Sequence, residues 1–235
     1  MLSSVLDLTL VYLAGSPPLL GYVSYNPLPH QKDGRILETE LLYQAINSVI
    51  ASYDTIEYII LISRGPLYFS GKGFGIEEQD PNLNNWKLEP INPNSSTISN
   101  KDAFVDGYVK IVKLLLSKGK KVIFVIDFPE LGIDPATCRK RKFSMKKGIA
   151  NCLLDKNIVD ARQREYRQII RKMQQQVPSL IIYDPISAFC NGNICYGKRD
   201  EIIYYGDYDH LNRNGSELIG KHFKDFLLKQ ELIKP

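Results

Sequence analysis

The stretch Val122-Ile123-Phe124-Val125-Ile126, followed by Asp127-Phe128-Pro129-Glu130, decides the fold class. Five consecutive apolar residues leave the segment no polar face. Such a run reads as a strand covered on both sides, as strands of parallel sheets are. Asp127 and Pro129 then read as the loop beyond it. Tyr58-Ile59-Ile60-Leu61-Ile62-Ser63 is a second run of this kind, and Leu8–Leu13 and Leu180–Tyr183 are two more. The segments between them carry apolar residues at helical spacing. Leu37, Leu41, Leu42, Ala45, Ile46, Val49 and Ile50 mark a helix over residues 36–53. Phe104, Val105, Tyr108, Ile111, Val112 and Leu115 mark one over 102–117, and Tyr166, Ile169, Ile170 and Met173 one over 159–176. Leu218, Ile219, His222, Phe223, Phe226 and Leu227 trace a face of the last helix.

Strands alternating with helices predict an α/β fold, a parallel sheet with helices on both faces. Ligand sites in such sheets lie beyond the carboxyl ends of the strands. Arg64, Asp127 and Asp207 each follow an apolar run, so all three are expected on that rim. Residues 21–35 and 64–99 read as irregular, the second being a long polar stretch with Gly71-Lys72-Gly73-Phe74-Gly75 and the single Trp86. That glycine-rich segment fits neither phosphate-binding fingerprint, which argues against a nucleotide site.

The composition, with 44% hydrophobic and 24% charged residues over 235 positions, suits one ordinary globular domain. The net charge of +4 is mild, and no nucleic-acid partner is expected. Arg139–Lys147 is strongly basic, and a solvated loop is the simpler reading of it. No apolar run approaches the ~20 residues of a membrane span. Four cysteines fall in two local pairs, Cys138 with Cys152 and Cys190 with Cys195. Disulfides, which suit an oxidising compartment, compete with free buried thiols and a zinc site. The absence of C-x-x-C spacing and of any histidine near either pair counts against zinc.

The chemistry concentrates in Tyr204-Tyr205-Gly206-Asp207-Tyr208-Asp209-His210-Leu211-Asn212. A histidine acting as a base needs a carboxylate at Nδ1 to set its tautomer. Asp207, three residues before His210, can reach back to do this. Asn212 is a good N-cap for the helix that follows. His30 and His222 carry bland readings, the first in a proline loop and the second beside the apolar stripe of the last helix.

Several segments together resemble the SGNH (GDSL-like) hydrolases, in the form found as the extracytoplasmic C-terminal domain of membrane O-acyltransferases. Ala14-Gly15-Ser16-Pro17-Pro18-Leu19-Leu20-Gly21 is similar to the family's loop after its second strand, with Ser16 where a cysteine is common. Phe128–Asp134 up to Cys138, and Asp184-Pro185 through Cys190 and Cys195, fit the family's cysteine-bearing segments. Tyr205–Leu211 is similar to its closing D-x-x-H-L-S block, with Asn212 in place of serine.

The resemblance implies a three-layer, flavodoxin-like fold forming a single domain over residues 1–235. It implies a Ser-His-Asp relay in which the acid and base are Asp207 and His210. The family's Gly-Asp-Ser block, which belongs on a first central strand upstream of the Leu8 run, has no counterpart. Ser3 and Ser4 are not credible substitutes, and the chain is expected to be truncated at its N-terminus relative to the family. Arg64 and Tyr68 are similar to the block beside the oxyanion region. The resemblance further implies an acyl donor, a glycan hydroxyl as acceptor, an upstream membrane acyltransferase domain, a periplasmic location, and neither cofactor nor metal. Its rival is a non-catalytic glycan-binding module using Tyr68, Phe69, Phe74 and Trp86; these aromatics also suit simple packing beneath a loop.

Overall fold

The computed structural model describes residues 11, 14–26, 31–52, 55–75, 85–92, 94–138 and 152–234. The elements run β1 (Tyr22–Tyr25), α1 (Gln31–Ser52), β2 (Tyr58–Leu61), α2 (Gly65–Ser70), β3 (Lys87–Pro90), α3 (Asn100–Ser117), β4 (Lys121–Val125) and β5 (Leu153–Asp155). They continue α4 (Lys156–Gln176), β6 (Ile181–Tyr183), α5 (Ile186–Phe189), β7 (Cys190–Asn191), β8 (Ile194–Tyr196), β9 (Lys198–Arg199), β10 (Ile202–Ile203) and α6 (Arg213–Lys229).

The parallel sheet has the order β2-β4-β6, with Ile123 opposite Ile59's neighbour Ile60 on one side and Ile181 on the other. β4 is central, and its period of two splits its side chains between two cores. Val122, Phe124 and the following Ile126 pack with Phe104, Tyr108 and Ile111 of α3 and with Tyr166, Ile170 and Met173 of α4. Ile123 and Val125 pack instead with Tyr183, Phe223 and Leu227, the last two from α6. Helices therefore cover both faces, as the unbroken apolar run requires, and the mixed α/β architecture is the expected one.

Other segments differ from expectation. Residues 21–35 hold β1 and the start of α1, and residues 64–99 hold α2 and β3. β1 pairs antiparallel with β3, Tyr22 opposite Pro90 and Tyr25 opposite Lys87. Two four-residue strands so far apart in sequence leave no local signature, because the pairing itself makes them strands. α2 escapes a periodicity reading because Gly65, Pro66, Leu67, Tyr68 and Phe69 are all buried. Gly65 is required there, since a Cβ would stand 2.3 Å from the Tyr166 hydroxyl oxygen.

α4 begins at Lys156, three residues before the expected 159, because Asp155 caps it by accepting from the Asn157 N–H at 2.8 Å. Ile202 and Ile203, just before the Tyr204–Asn212 segment, form β10, which pairs with β9 and not with the parallel sheet. A fourth sheet, antiparallel with the order β5-β8-β7, was not expected from the sequence. Both cysteine pairs are disulfides, Cys138–Cys152 and Cys190–Cys195. No helix among the described residues is long and apolar enough to cross a membrane. Of the Leu8–Leu13 run only Val11 is described, so the strand expected there, Ser3, Ser4, His30 and the basic residues 139–147 lie outside the described residues.

Candidate active site

The segment from Tyr204 to Asn212 is a closed turn pinned at its base. Tyr204 and Tyr205 are buried, and the Tyr205 hydroxyl donates to the Pro129 carbonyl in the loop beyond β4. Tyr205 and Leu211 form an isolated antiparallel bridge, and the Gly206 N–H donates to the His210 carbonyl at 2.8 Å. Asn212 caps α6 through its side-chain oxygen, which accepts from the Gly215 N–H at 3.1 Å. Its amide nitrogen donates to the carbonyls of Ile203 at 2.8 Å and Tyr205 at 3.2 Å. One asparagine thus fixes both the helix start and the base of the turn, and a serine could not supply both amide bonds.

A second tie joins this turn to the parallel sheet's rim. The Gly132 N–H, beyond β4, donates to the Tyr208 carbonyl at 2.9 Å. Gly75 lies against Gly132 so closely that a Cβ on it would meet the Gly132 carbonyl oxygen at 2.2 Å. The glycine-rich segment 71–75 therefore serves a close backbone approach.

At the tip, His210 Nδ1 lies 2.9 Å from Asp207 Oδ2 and 3.2 Å from Oδ1. Asp207 Oδ1 also accepts from the backbone N–H groups of Asp209, at 2.9 Å, and His210, at 2.7 Å. Burial pushes the Asp207 carboxyl upward, but these two N–H donors prevail and hold it below the ordinary carboxylate range. Asp207 is thus an ionised acceptor at neutral pH. The His210 side chain is 76% exposed, so a reacting group can approach it. Asp207 and His210 meet as the spacing predicts.

Asp209 was not among the expected site residues, and it is the buried member of the group. Its Oδ2 lies 2.7 Å from Arg64 Nη1, and its Oδ1 lies 3.0 Å from His210 Nδ1. Burial pushes its carboxyl up to about 6, against the pull of Arg64. Arg64 also donates to Glu130 Oε1 through Nε at 2.8 Å and Nη2 at 2.6 Å. Glu130 is shared, since Arg162 of α4 donates from Nε to its Oε2 at 2.6 Å. The chain Asp209–Arg64–Glu130–Arg162 ties together the loop after β2, the loop after β4, α4 and the His210 turn. The position of Glu130 just beyond β4 was a usable signal for it. Arg162, one of many charges on α4, carried none.

Arg64 and Asp127 both stand at the rim, as their positions after β2 and β4 predict. Asp127 is buried, its Oδ2 has no hydrogen-bond partner, and burial followed by the nearby Glu130 carboxylate pushes it well above the ordinary range. Tyr68 sits in α2, packed edge-on against Trp86 with ring centroids 5.6 Å apart. Burial pushes its hydroxyl up to about 12, against the fields of Arg35 and Arg64. Tyr68 and Phe69 are core residues, so the packing reading of these two aromatics is the one observed.

His222 is satisfied on both sides, Nδ1 2.8 Å from the Tyr183 hydroxyl and Nε2 2.9 Å from Ser187 Oγ. Among the described residues, Asp207, Asp209 and His210 are the group whose ligand atoms could converge on a metal, all within 4.8 Å of one another.

A solved structure with a similar backbone is the periplasmic domain of a lipopolysaccharide acetyltransferase from Salmonella ser. Paratyphi A, 14% identical, with a TM-score of 0.45. The match covers 81% of this chain and 63% of that one. A comparison with curated proteins returned no significant match. The family model described as "SGNH domain (fused to AT3 domains)" matches residues 4–225, nearly the whole sequence. With the parallel sheet and its helical layers already in place, that match makes the chain a member of the family of SGNH domains that occur fused to AT3 domains.

Proposed function

We propose that this domain supplies the acid–base part of a Ser-His-Asp relay that transfers an acyl group, acetyl in the simplest case, to a hydroxyl of a cell-surface glycan. The observation carrying this reading is the 2.9 Å contact between Asp207 Oδ2 and His210 Nδ1 on an exposed turn. With Nδ1–H donated to Asp207, Nε2 is the basic nitrogen. It takes the proton of a serine hydroxyl as that oxygen attacks the acyl carbonyl. The resulting imidazolium is stabilised by Asp207, then returns the proton to the leaving group. A sugar hydroxyl resolves the acyl-enzyme by the same steps in reverse; water in its place makes the domain an esterase. Arg64 and Tyr68 border the acyl-binding region, and Arg64 holds the turn through Asp209. The domain works outside the cytoplasm, as one folded unit, beside a membrane-embedded acyltransferase domain. The two disulfides suit that compartment.

The nucleophile is the open element. Among the described residues no serine is hydrogen-bonded to His210, whereas Ser187 is bonded to His222. That observation favours a second reading, an inactive SGNH-like module that binds glycan. Two measurements separate them. In the organism's own surface glycan, His210→Ala and Asp207→Asn should each abolish O-acylation, read by NMR of the isolated polymer. Unchanged acylation in both variants would overturn the catalytic reading and leave the binding module. The purified domain should hydrolyse p-nitrophenyl acetate poorly; robust turnover lost in His210→Ala would place the nucleophile within this sequence.

A further inference from the structure

Two carboxylates converge on one imidazole nitrogen at the tip of the turn. Asp207 Oδ2 and Asp209 Oδ1 lie 2.9 Å and 3.0 Å from His210 Nδ1. Nδ1 carries at most one proton, so it can satisfy only one of them. Asp207 receives that bond, and Asp209 Oδ1, in a side chain only 4% exposed, is buried without a hydrogen-bond partner. An unpaired buried carboxylate oxygen is costly.

Each carboxylate is also held by its other oxygen. Asp207 Oδ1 accepts two backbone N–H groups, and Asp209 Oδ2 faces Arg64. Both acids are therefore oriented with one oxygen turned toward the same point, as supporting partners orient metal ligands.

We propose that Asp207, Asp209 and His210 bind a divalent transition-metal ion of the zinc type, coordinated by Asp207 Oδ2, Asp209 Oδ1 and His210 Nδ1. Ligand atoms on a tetrahedral ion with bonds of about 2.1 Å stand about 3.4 Å apart. The contacts to Nδ1 need open by only a few tenths of an ångström, and the exposed ring can supply that movement. An imidazole among the donors selects zinc, cobalt or nickel over calcium or magnesium. Two carboxylates neutralise the ion's charge, and a fourth position is left for solvent or an anion.

The consequence for catalysis rests on the reading proposed above; the binding does not. Coordination at Nδ1 moves the ring proton to Nε2, so His210 can no longer accept a serine proton there. Metal binding and acyl transfer then exclude each other.

The test is titration of the purified domain with Zn2+ against a chromogenic chelator, and with Co2+ followed by its visible absorption. One saturable site per chain is expected, weakened at least tenfold by His210→Ala. That variant should fold, since the side chain is 76% exposed. Asp209→Asn should weaken binding as well, but it also disturbs Arg64, so His210→Ala carries the decision. Absence of saturable binding at millimolar Zn2+, or equal binding by His210→Ala, overturns the proposal, as does displacement of Zn2+ by equimolar Mg2+. Zn2+ binding that leaves surface acylation untouched would keep the site and count against the catalytic role of His210.

Discussion

Arg64 Nη1 stands 2.7 Å from Asp209 Oδ2, and this contact fastens the turn bearing His210 to the end of strand β2. The same guanidinium serves Glu130, whose side chain is only 2% exposed. Removing one partner of a buried ion pair leaves an uncompensated charge, a change worth about 3–5 kcal/mol. Arg64→Ala is therefore expected to lower unfolding stability by about 3 kcal/mol in urea titration. Arg162 still holds Glu130, which keeps the loss at the lower end. A change under about 1 kcal/mol would mean that water replaces the guanidinium easily.

The raised carboxyl of Asp209 makes a pH prediction of definite sign. Its folded value of about 6 lies above its ordinary 3.8, so between those values the folded chain holds a proton the unfolded chain has released. Stability from this group is thus fully present at low pH and declines as pH rises toward 6, then levels. Asp207, held below the ordinary range, acts oppositely and loses its contribution as pH falls. Subtracting the pH–stability curve of Asp209→Asn from that of the wild type should isolate the first decline. A difference curve that is flat from pH 4 to 6.5 would refute the assignment.

Asn212 should be more valuable than a plain cap. Asn212→Ala loses the cap bond and both amide bonds, and a cap alone is worth about 1 kcal/mol. Asn212→Ser keeps a capping oxygen and loses the bonds to Ile203 and Tyr205. The serine variant should fall between alanine and wild type in chemical denaturation. Equality of serine and wild type would assign the amide bonds no weight.

The Cys138–Cys152 disulfide spans a sequence separation of 14. Cross-linking a loop of this size is worth about 3 kcal/mol. The double variant Cys138→Ala/Cys152→Ala should lose about that much stability, with the effect centred on Leu131, Phe189 and Tyr205, which share a cluster with the two cysteines. Hydrogen exchange should register faster opening there than in β4. Uniform acceleration across both regions would show the domain unfolding as one unit.

How much was legible in advance depended on whether the cause was local. The alternation of apolar runs with helical patterns sufficed for β2, β4 and β6 and for α3 and α4, because burial on both faces is written in consecutive residues. The Asp207–His210 pair was equally legible, since three residues and one turn are all it needs. Asn212 as a cap was legible for the same reason. β1 and β3 were not, because neither segment is a strand except against the other.

What the amino-acid sequence determined alone was the layered α/β fold, the cysteine pairs as neighbours, and a carboxylate placed to orient one histidine. Only the tertiary structure decided which charges surround that pair. Asp209, Glu130, Arg64 and Arg162 come from four separate segments, and Coulomb interactions are strong where chain packing excludes water, whatever the separation along the sequence. The burial that turns Asp209 into a carboxyl of unusual affinity for protons, and leaves one of its oxygens without a donor, is a property of that assembled surrounding and of no stretch of residues within it.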